Sequence, residues 1–343
     1  MQSNKYNGKR KIRELIMSKV IFVIVLAVLA ACSAHDEKKQ AILSEAVKHF
    51  APLPEQMPGA ENDTPQLIAL GEKLYFETML SDDHSLSCNS CHVVNDGGPG
   101  VDNLPTSPGV GGVRGERNSP TVLNAGFHFA QFWDGRAADL KEQAGGPVLN
   151  SVEMAMPDEE VVMARLSGDA DYPAAFAAAF PGAKNPLTYE NMTAAIAAFE
   201  RTLITHDRFD TFLSGKLDAL SNAEAEGLQE FMLNGCITCH SGALLGGHIY
   251  QKSGLVHAYK NQKDEGRFLV TGIEADKYYF KVPSMRNVAI TAPYFHDGGI
   301  AELDVTVREM AYMQLDIRLN DDQVNNIVSF LNALTDPQRK ALR

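Results

Sequence analysis

Two short stretches carry most of the chemistry that this sequence can do. Cys88-Asn89-Ser90-Cys91-His92 places two thiols three positions apart with an imidazole directly after the second, and Cys236-Ile237-Thr238-Cys239-His240 repeats the arrangement. A CxxC pair can serve as a redox dithiol, as half of a zinc site, or as an attachment point for c-type haem. Zinc needs both pairs gathered in one small module. A redox dithiol gives no reason for a histidine to follow, twice. Haem attachment uses every residue: the thiols of Cys88, Cys91, Cys236 and Cys239 become thioethers, and His92 and His240 become proximal iron ligands. The fifth cysteine, Cys32, lies elsewhere, so none is left over for a disulfide framework. The reading is two covalently bound c-type haems.

Such sites must be positioned by helices, and the pattern around each motif is helical. Thr64-Pro65 reads as an N-cap followed by proline at the first helical position, with Leu67, Leu70 and Leu74 at helical spacing. Glycine, proline and asparagine make 95–115 a loop, and 153–180 and 189–205 are Ala-rich and helical. The second half repeats the plan. Ser221-Asn222-Ala223-Glu224 is a capping box, its helix ends at Gly235 just before the second motif, and a last helix begins near Asp321 with Val324, Ile327, Phe330, Leu331 and Leu334 on one face. Strand-like alternation is visible only in "YYFKVPS". The expectation is a mainly α protein of two cytochrome c-like haem domains, 61–205 and 206–343, preceded by a signal segment (1–31) and by a tether with one short helix (32–60).

The amino-terminal end is basic (Lys5, Lys9, Arg10, Lys11, Arg13, Lys19) and runs into "VIFVIVLAVLAA", an apolar stretch of secretory length. Met17 is an alternative start. Leu29-Ala30-Ala31-Cys32 resembles a lipobox, which makes Cys32 the lipidation site and the protein a periplasmic lipoprotein; an ordinary cut near Ala34 would instead release it. Residues 1–31 hold six basic residues and one acid, so the chain's 31 basic and 43 acidic residues become 25 and 42, a net of −17. That balance argues against nucleic-acid partners, which demand basic patches, and favours a basic protein partner.

The sixth iron position decides between catalysis and electron transfer, and spacing leaves Met285, Met310 and Met313 open for the second haem. Here the chain resembles the bacterial dihaem cytochrome c peroxidases. "YYFKVPSMRNVAITAPYFHDGGIAELDVTVREM" (Tyr278 to Met310) is similar to their C-terminal signature, and "RNSPTVLNAGFHFAQFWDGRAADLKEQAGGPVLNSVEM" (Arg117 to Met154) to their N-terminal one. The resemblance spans roughly 60–335. It implies that Met310, fourteen residues after His296, joins His240 on a high-potential haem. Methionine ligation stabilises ferrous iron and raises the potential. It also implies that the His92 haem meets peroxide, with Glu153 and Gln143 as the acid/base and orienting residues and Trp133, the single tryptophan, as the bridge between haems. Asn118, Thr291 and Pro293 match the family's calcium ligands. Hydrogen peroxide as substrate, a small cytochrome c or cupredoxin as electron donor, and a homodimer follow from the same resemblance.

One position departs from the family. Many members carry a histidine six residues after a "DNL" stretch, which closes the peroxide-reacting haem at rest. Here Asp102-Asn103-Leu104 leads to Val110, and no histidine lies between His92 and His128. The expectation is a resting haem open to peroxide and an enzyme that needs no reductive activation, with His84 and His128 as the alternative ligands. Two other functions compete: a dihaem maturation-type oxidase, whose relatives use tyrosine where this chain has Met310, and a dihaem electron-transfer cytochrome without catalysis.

Overall fold

The structure, a computed structural model, describes Met17 and residues 35–342. The rest of the expected signal segment and the lipobox Cys32 lie outside the described residues. The described residues are mainly helical: α1 (35–46), α2 (Pro65–Tyr75), α3 (Cys88–Cys91), α4 (Leu140–Leu149), α5 (Glu159–Gly168), α6 (Tyr172–Ala179), α7 (Tyr189–Glu200), α8 (Arg208–Leu213), α9 (Asn222–Leu233), α10 (Phe268–Thr271), α11 (Leu303–Leu315) and α12 (Asp321–Ala333). One antiparallel pair forms, β1 (Tyr250–Lys252) with β2 (Tyr279–Lys281), in the register Tyr250 opposite Lys281; only β2 lies in the "YYFKVPS" stretch.

The same helix crossing is built twice. In the first half α2 starts on Thr64, whose hydroxyl accepts from Leu67 N, with Pro65 at the first turn. It packs on α7, capped by Thr188. A Cβ on Gly71 would lie 1.8 Å from the Ala195 carbonyl oxygen, so only glycine lets the two backbones approach this closely. In the second half α9 starts with the Ser221–Glu224 capping box and packs on α12. A Cβ on Gly227 would again stand 1.8 Å from a backbone oxygen, that of Asn326. Val324, Ile327, Phe330 and Leu331 of α12 are buried, each side chain contributing about 1.5–3 kcal/mol.

Two apolar cores follow from these crossings. One runs from Leu70 to Leu203 and holds α2 and α4–α7; the other resumes at Phe209 and ends at Leu334. Thr205 ties them. Its hydroxyl accepts from Asn124 Nδ2 at 2.8 Å and from Asn287 Nδ2 at 3.0 Å. Both asparagines sit in left-handed backbone at equivalent places in the two halves, a conformation that asparagine tolerates better than most residues.

The expectation for 32–60 needs correction. Residues 35–50 are no free tether: Ile42, Leu43, Ala46 and Phe50 are buried members of the second core. The apolar spacing on α1 supplies a face that the second domain covers. The opposite end crosses the other way. Arg339 Nη1 donates to the Val94 carbonyl, Lys340 N to Gly97, and Leu342 N to Asn103 Oδ1, so the carboxyl-terminal tail lies on the loop after the first motif.

Candidate functional site

The second motif lies at one end of a cavity of about 240 Å³ lined mainly by apolar groups. Cys236, Cys239 and His240 are on its wall, and so is Met310, from α11. Met285 lines it too, while Met313 is buried and is not on the wall. His240 Nδ1 lies 3.2 Å from the Leu245 carbonyl oxygen. That contact requires the proton on Nδ1, which leaves the Nε2 lone pair for a metal. Burial pushes the His240 imidazole down to about 4, so it stays neutral. The wall fits a c-type haem: His240 Nε2 is free to take its iron, and Met310 and Met285 are the thioethers on the same wall.

The first motif forms α3, opened by a Ser87–Ser90 capping box, with His92 just past its end. Tyr75 donates to the His92 carbonyl at 2.6 Å, which fixes the motif to α2. Burial lowers the His92 imidazole, opposed by the backbone of Gly100 and Pro120 against the ring. Burial pushes the Cys88 thiol up to about 12, and those of Cys91 and Cys236 up to about 11. A dithiol nucleophile must be a thiolate, so these sites do not suit one. Among the described residues no group of three His, Cys, Asp or Glu side chains gathers to hold an ion. The two cysteine pairs thus stay apart, as two haems require.

Glu153 and Gln143 come from α4 and the turn after it. Pro147 lies in the last turn of the helix, Asn150 caps it by donating its N–H to the Pro147 carbonyl, and Glu153 N donates to Asn150 O at 3.0 Å. The Glu153 carboxylate accepts from Asn150 Nδ2 at 2.9 Å. Burial raises this carboxyl above the usual range, while Arg136 and the Asn150 bond pull it down. Gln143 is half-buried on α4. The glycine-rich loop lies directly against this turn: Val110 N donates to the Glu153 carbonyl at 2.8 Å, and a Cβ on Gly109 would stand 2.1 Å from Val152 O. His84 is exposed, and His128 lines the cavity of the second motif rather than that of the first.

Trp133 lies between the two halves. Its Nε1 donates to Asn118 O at 2.8 Å, and its carbonyl accepts from Lys281 N of β2 at 2.7 Å. Asn118, Thr291 and Pro293 line the same cavity. Asn118 Nδ2 is committed to the Leu104 and Pro105 carbonyls, which leaves Oδ1 for a cation. Asn118 N also donates to His296 O, so this corner is held from both halves.

Several residues here escaped the sequence reading. Arg136 lies 3.4 Å from the centre of the Phe132 ring and bears on Glu153. Arg117 bridges Asp134 and Asp264. Lys281 is buried beside His128. Arg117, Arg136 and Lys281 lie inside the two signature stretches, yet charge alone does not separate a buried cation from a solvated one.

The di-haem cytochrome c peroxidase family model matches residues 65–218. The cytochrome c551 peroxidase of Pseudomonas aeruginosa is 46% identical over 305 residues, 87% of each chain. The methylamine utilization protein MauG of Methylorubrum extorquens is 30% identical over 317 residues, 89% of this chain and 88% of that one. Among solved structures, a MauG-like protein associated with microbial copper homeostasis is similar at a TM-score of 0.73 and 27% identity, over 83% of this chain and 94% of that chain. The breadth of the match to the Pseudomonas enzyme, through both motifs and both cores, places this chain in the di-haem cytochrome c peroxidase family.

Proposed function

We propose that the protein reduces hydrogen peroxide to two waters, consuming two electrons and two protons, with the His92 centre as the site of reaction and the His240–Met310 centre as the electron entry. The observation that carries this reading is the turn that buries Glu153 against a loop with no histidine. A haem on His92 supplies the iron at which the O–O bond breaks and through which electrons arrive. Glu153 takes a proton from one peroxide oxygen and returns it to the departing one. Burial raises its carboxyl, which favours holding the proton, while Arg136 and Asn150 favour the ionised form. Gln143 orients peroxide by donating a hydrogen bond. Trp133, bonded to Asn118 on one side and to Lys281 on the other, bridges the two centres.

Val110 cannot ligate iron, and its N–H already serves the Glu153 carbonyl. The first centre therefore rests open, and turnover requires no prior half-reduction. Asn118 Oδ1 and the carbonyls of Thr291 and Pro293 supply three oxygens for calcium, with water completing the shell. The protein works in the periplasm, lipid-anchored through Cys32, as a homodimer, and takes electrons from a small basic cytochrome c or cupredoxin steered by its acidic surface. Met310 on the cavity wall, where a maturation-type oxidase has tyrosine, disfavours that alternative.

The test is the spectrum of the fully oxidised protein, followed by peroxide with and without half-reduction. High-spin ferric iron with immediate turnover is expected. Two low-spin haems that react only after half-reduction would overturn the open-site reading, and absence of peroxide turnover in both states would overturn the peroxidase reading itself.

A further inference from the structure

Three basic side chains on the wall of the second cavity, Lys281, His128 and His296, form no ion pair with an acid among the described residues. Lys281 is 5% exposed, and its ammonium lies 2.5 Å from His128 Nδ1. Among the described residues it pairs with no carboxylate. A lysine ammonium can only donate, so His128 Nδ1 accepts and the ring proton sits on Nε2. His128 Nε2 is buried and has no hydrogen-bond partner. His296, 3% exposed and stacked on Phe280, has a buried Nε2 that is likewise unpartnered. All three side chains line the cavity.

Their positions are built, not incidental. Lys281 sits on β2, whose backbone N–H is bonded to Trp133 O. Gly247, with φ of +77°, lies against the other side of the His128 ring; a Cβ there would stand 3.0 Å from His128 Cδ2. Gly247 N donates to Val282 O and Phe129 N to Gly247 O, so the glycine, His128 and β2 form one bonded unit. A buried ammonium without a counter-ion is costly, as is a buried imidazole N–H without an acceptor. The unit requires an anion with at least two acceptor oxygens. A c-type haem attached at Cys236 and Cys239 brings carboxylates on its edge away from the thioethers.

We infer that Lys281 and His128 form the carboxylate clamp for the haem of the second motif, Lys281 by charge and His128 by Nε2–H, and that Lys281 holds that haem's reduction potential up. The inference rests on the two-haem reading. Burial pushes the Lys281 ammonium down to about 7 when no anion is present, and a bound carboxylate restores its charge. A cation at the haem edge favours the ferrous state, which carries one positive charge fewer than the ferric. Because Lys281 N is bonded to Trp133 O, the clamp also fixes the haem edge relative to the interdomain tryptophan.

The experiment is a spectroelectrochemical titration of the holoprotein, after an alkaline pyridine haemochrome assay has counted the haems. In Lys281→Met, the midpoint of the His240 haem should move negative by at least tenfold in the one-electron partition, about 59 mV. The His92 haem should move less, and Lys281→Arg should restore the wild-type value. His128→Leu should shift the same haem in the same direction by a smaller amount, and it carries the test if Lys281→Met takes up no haem. Two haems per chain with an unmoved His240 midpoint in whichever variant loads would overturn the clamp while leaving the two-haem reading intact. Fewer than two haems in the wild type would overturn that reading, and the clamp with it.

Discussion

The two halves of the molecule share one architecture and handle buried charge in opposite ways. Each crosses two helices at a glycine, Gly71 in the first and Gly227 in the second, and sets its CxxCH motif beside that crossing. The first half holds two acids that burial raises and that form no ion pair among the described residues. Glu153 has one neutral partner, and Glu200, whose carboxyl burial pushes up to about 8, leaves Oε2 with none. The cavity of the second motif gathers unpaired bases, Lys281 and His296 from the second half and His128 reaching in from the first. Deeper in the second half, Arg286 is completely buried and fully answered: it bridges Asp207 at 2.6 Å and Asp210 at 2.8 Å and donates to the Ala243 carbonyl. A duplicated haem scaffold has thus diverged through its polar residues. Raised carboxyls suit a site that moves protons, and unpaired bases suit the edge of an anionic cofactor that only passes electrons.

Removing the proton carrier strains that comparison most. Glu153→Gln keeps the side chain's size and loses the base, so peroxide turnover should fall by about 10²–10⁴-fold. Both haems should still be reducible by a chemical donor. If turnover survived, the acid-rich first half would have a structural role only.

Arg286→Met breaks the paired charge of the second half. Asp207 and Asp210 would remain without their common partner, which should cost about 3–5 kcal/mol in unfolding free energy. Denaturant titration followed by the His240 haem spectrum measures it. A loss under 1 kcal/mol would mean that the buried bridge contributes little net stability.

The shared glycines test what the halves have in common. Gly71→Ala and Gly227→Ala each drive a methyl against a backbone oxygen, and each should cost about 1–3 kcal/mol through forced separation of the helices. The damage should stay local. Gly71→Ala should loosen the His92 haem and Gly227→Ala the His240 haem, read from the thermal loss of each haem's spectrum. Equal damage to both haems from either change would mean that the two cores unfold as one.

Much of this was legible in the sequence because it lies in local pattern. The CxxCH copies name their own chemistry, Thr64-Pro65 and Ser221–Glu224 mark helix starts, and the α12 stripe announces its buried face. The resemblance supplied Met310 out of three methionines that spacing left equal; Met310 and Met285 both line the second cavity. What stayed hidden depends on contacts across long separations. Residues 35–50 read as a polar tether because Lys38, Lys39 and Lys48 surround Ile42, Leu43, Ala46 and Phe50, and nothing local reveals that the second core, more than 150 residues away, covers that face. The same limit applies to Lys281 and His128, which stand 153 positions apart. His128, an alternative ligand for the first haem on the sequence alone, lines the cavity of the second motif.

The finest test of the contrast between the halves concerns Asn150. Its Nδ2 is the direct hydrogen-bond donor to the Glu153 carboxylate, and that bond lowers a carboxyl that burial raises. Glu153 must be ionised to accept the peroxide proton. In Asn150→Ala the carboxyl rises further, so at the acid end of the pH profile a larger fraction is protonated and inactive. A hydrogen bond of this kind is worth about 0.5–1.5 kcal/mol. Turnover on the acid limb should therefore drop about two- to tenfold and converge on the wild-type rate as pH rises and Glu153 ionises in both proteins. The haem potentials should not move. A uniform loss across the whole profile would show that Asn150 shapes the turn rather than the charge, and the contrast between the halves would then rest on burial alone.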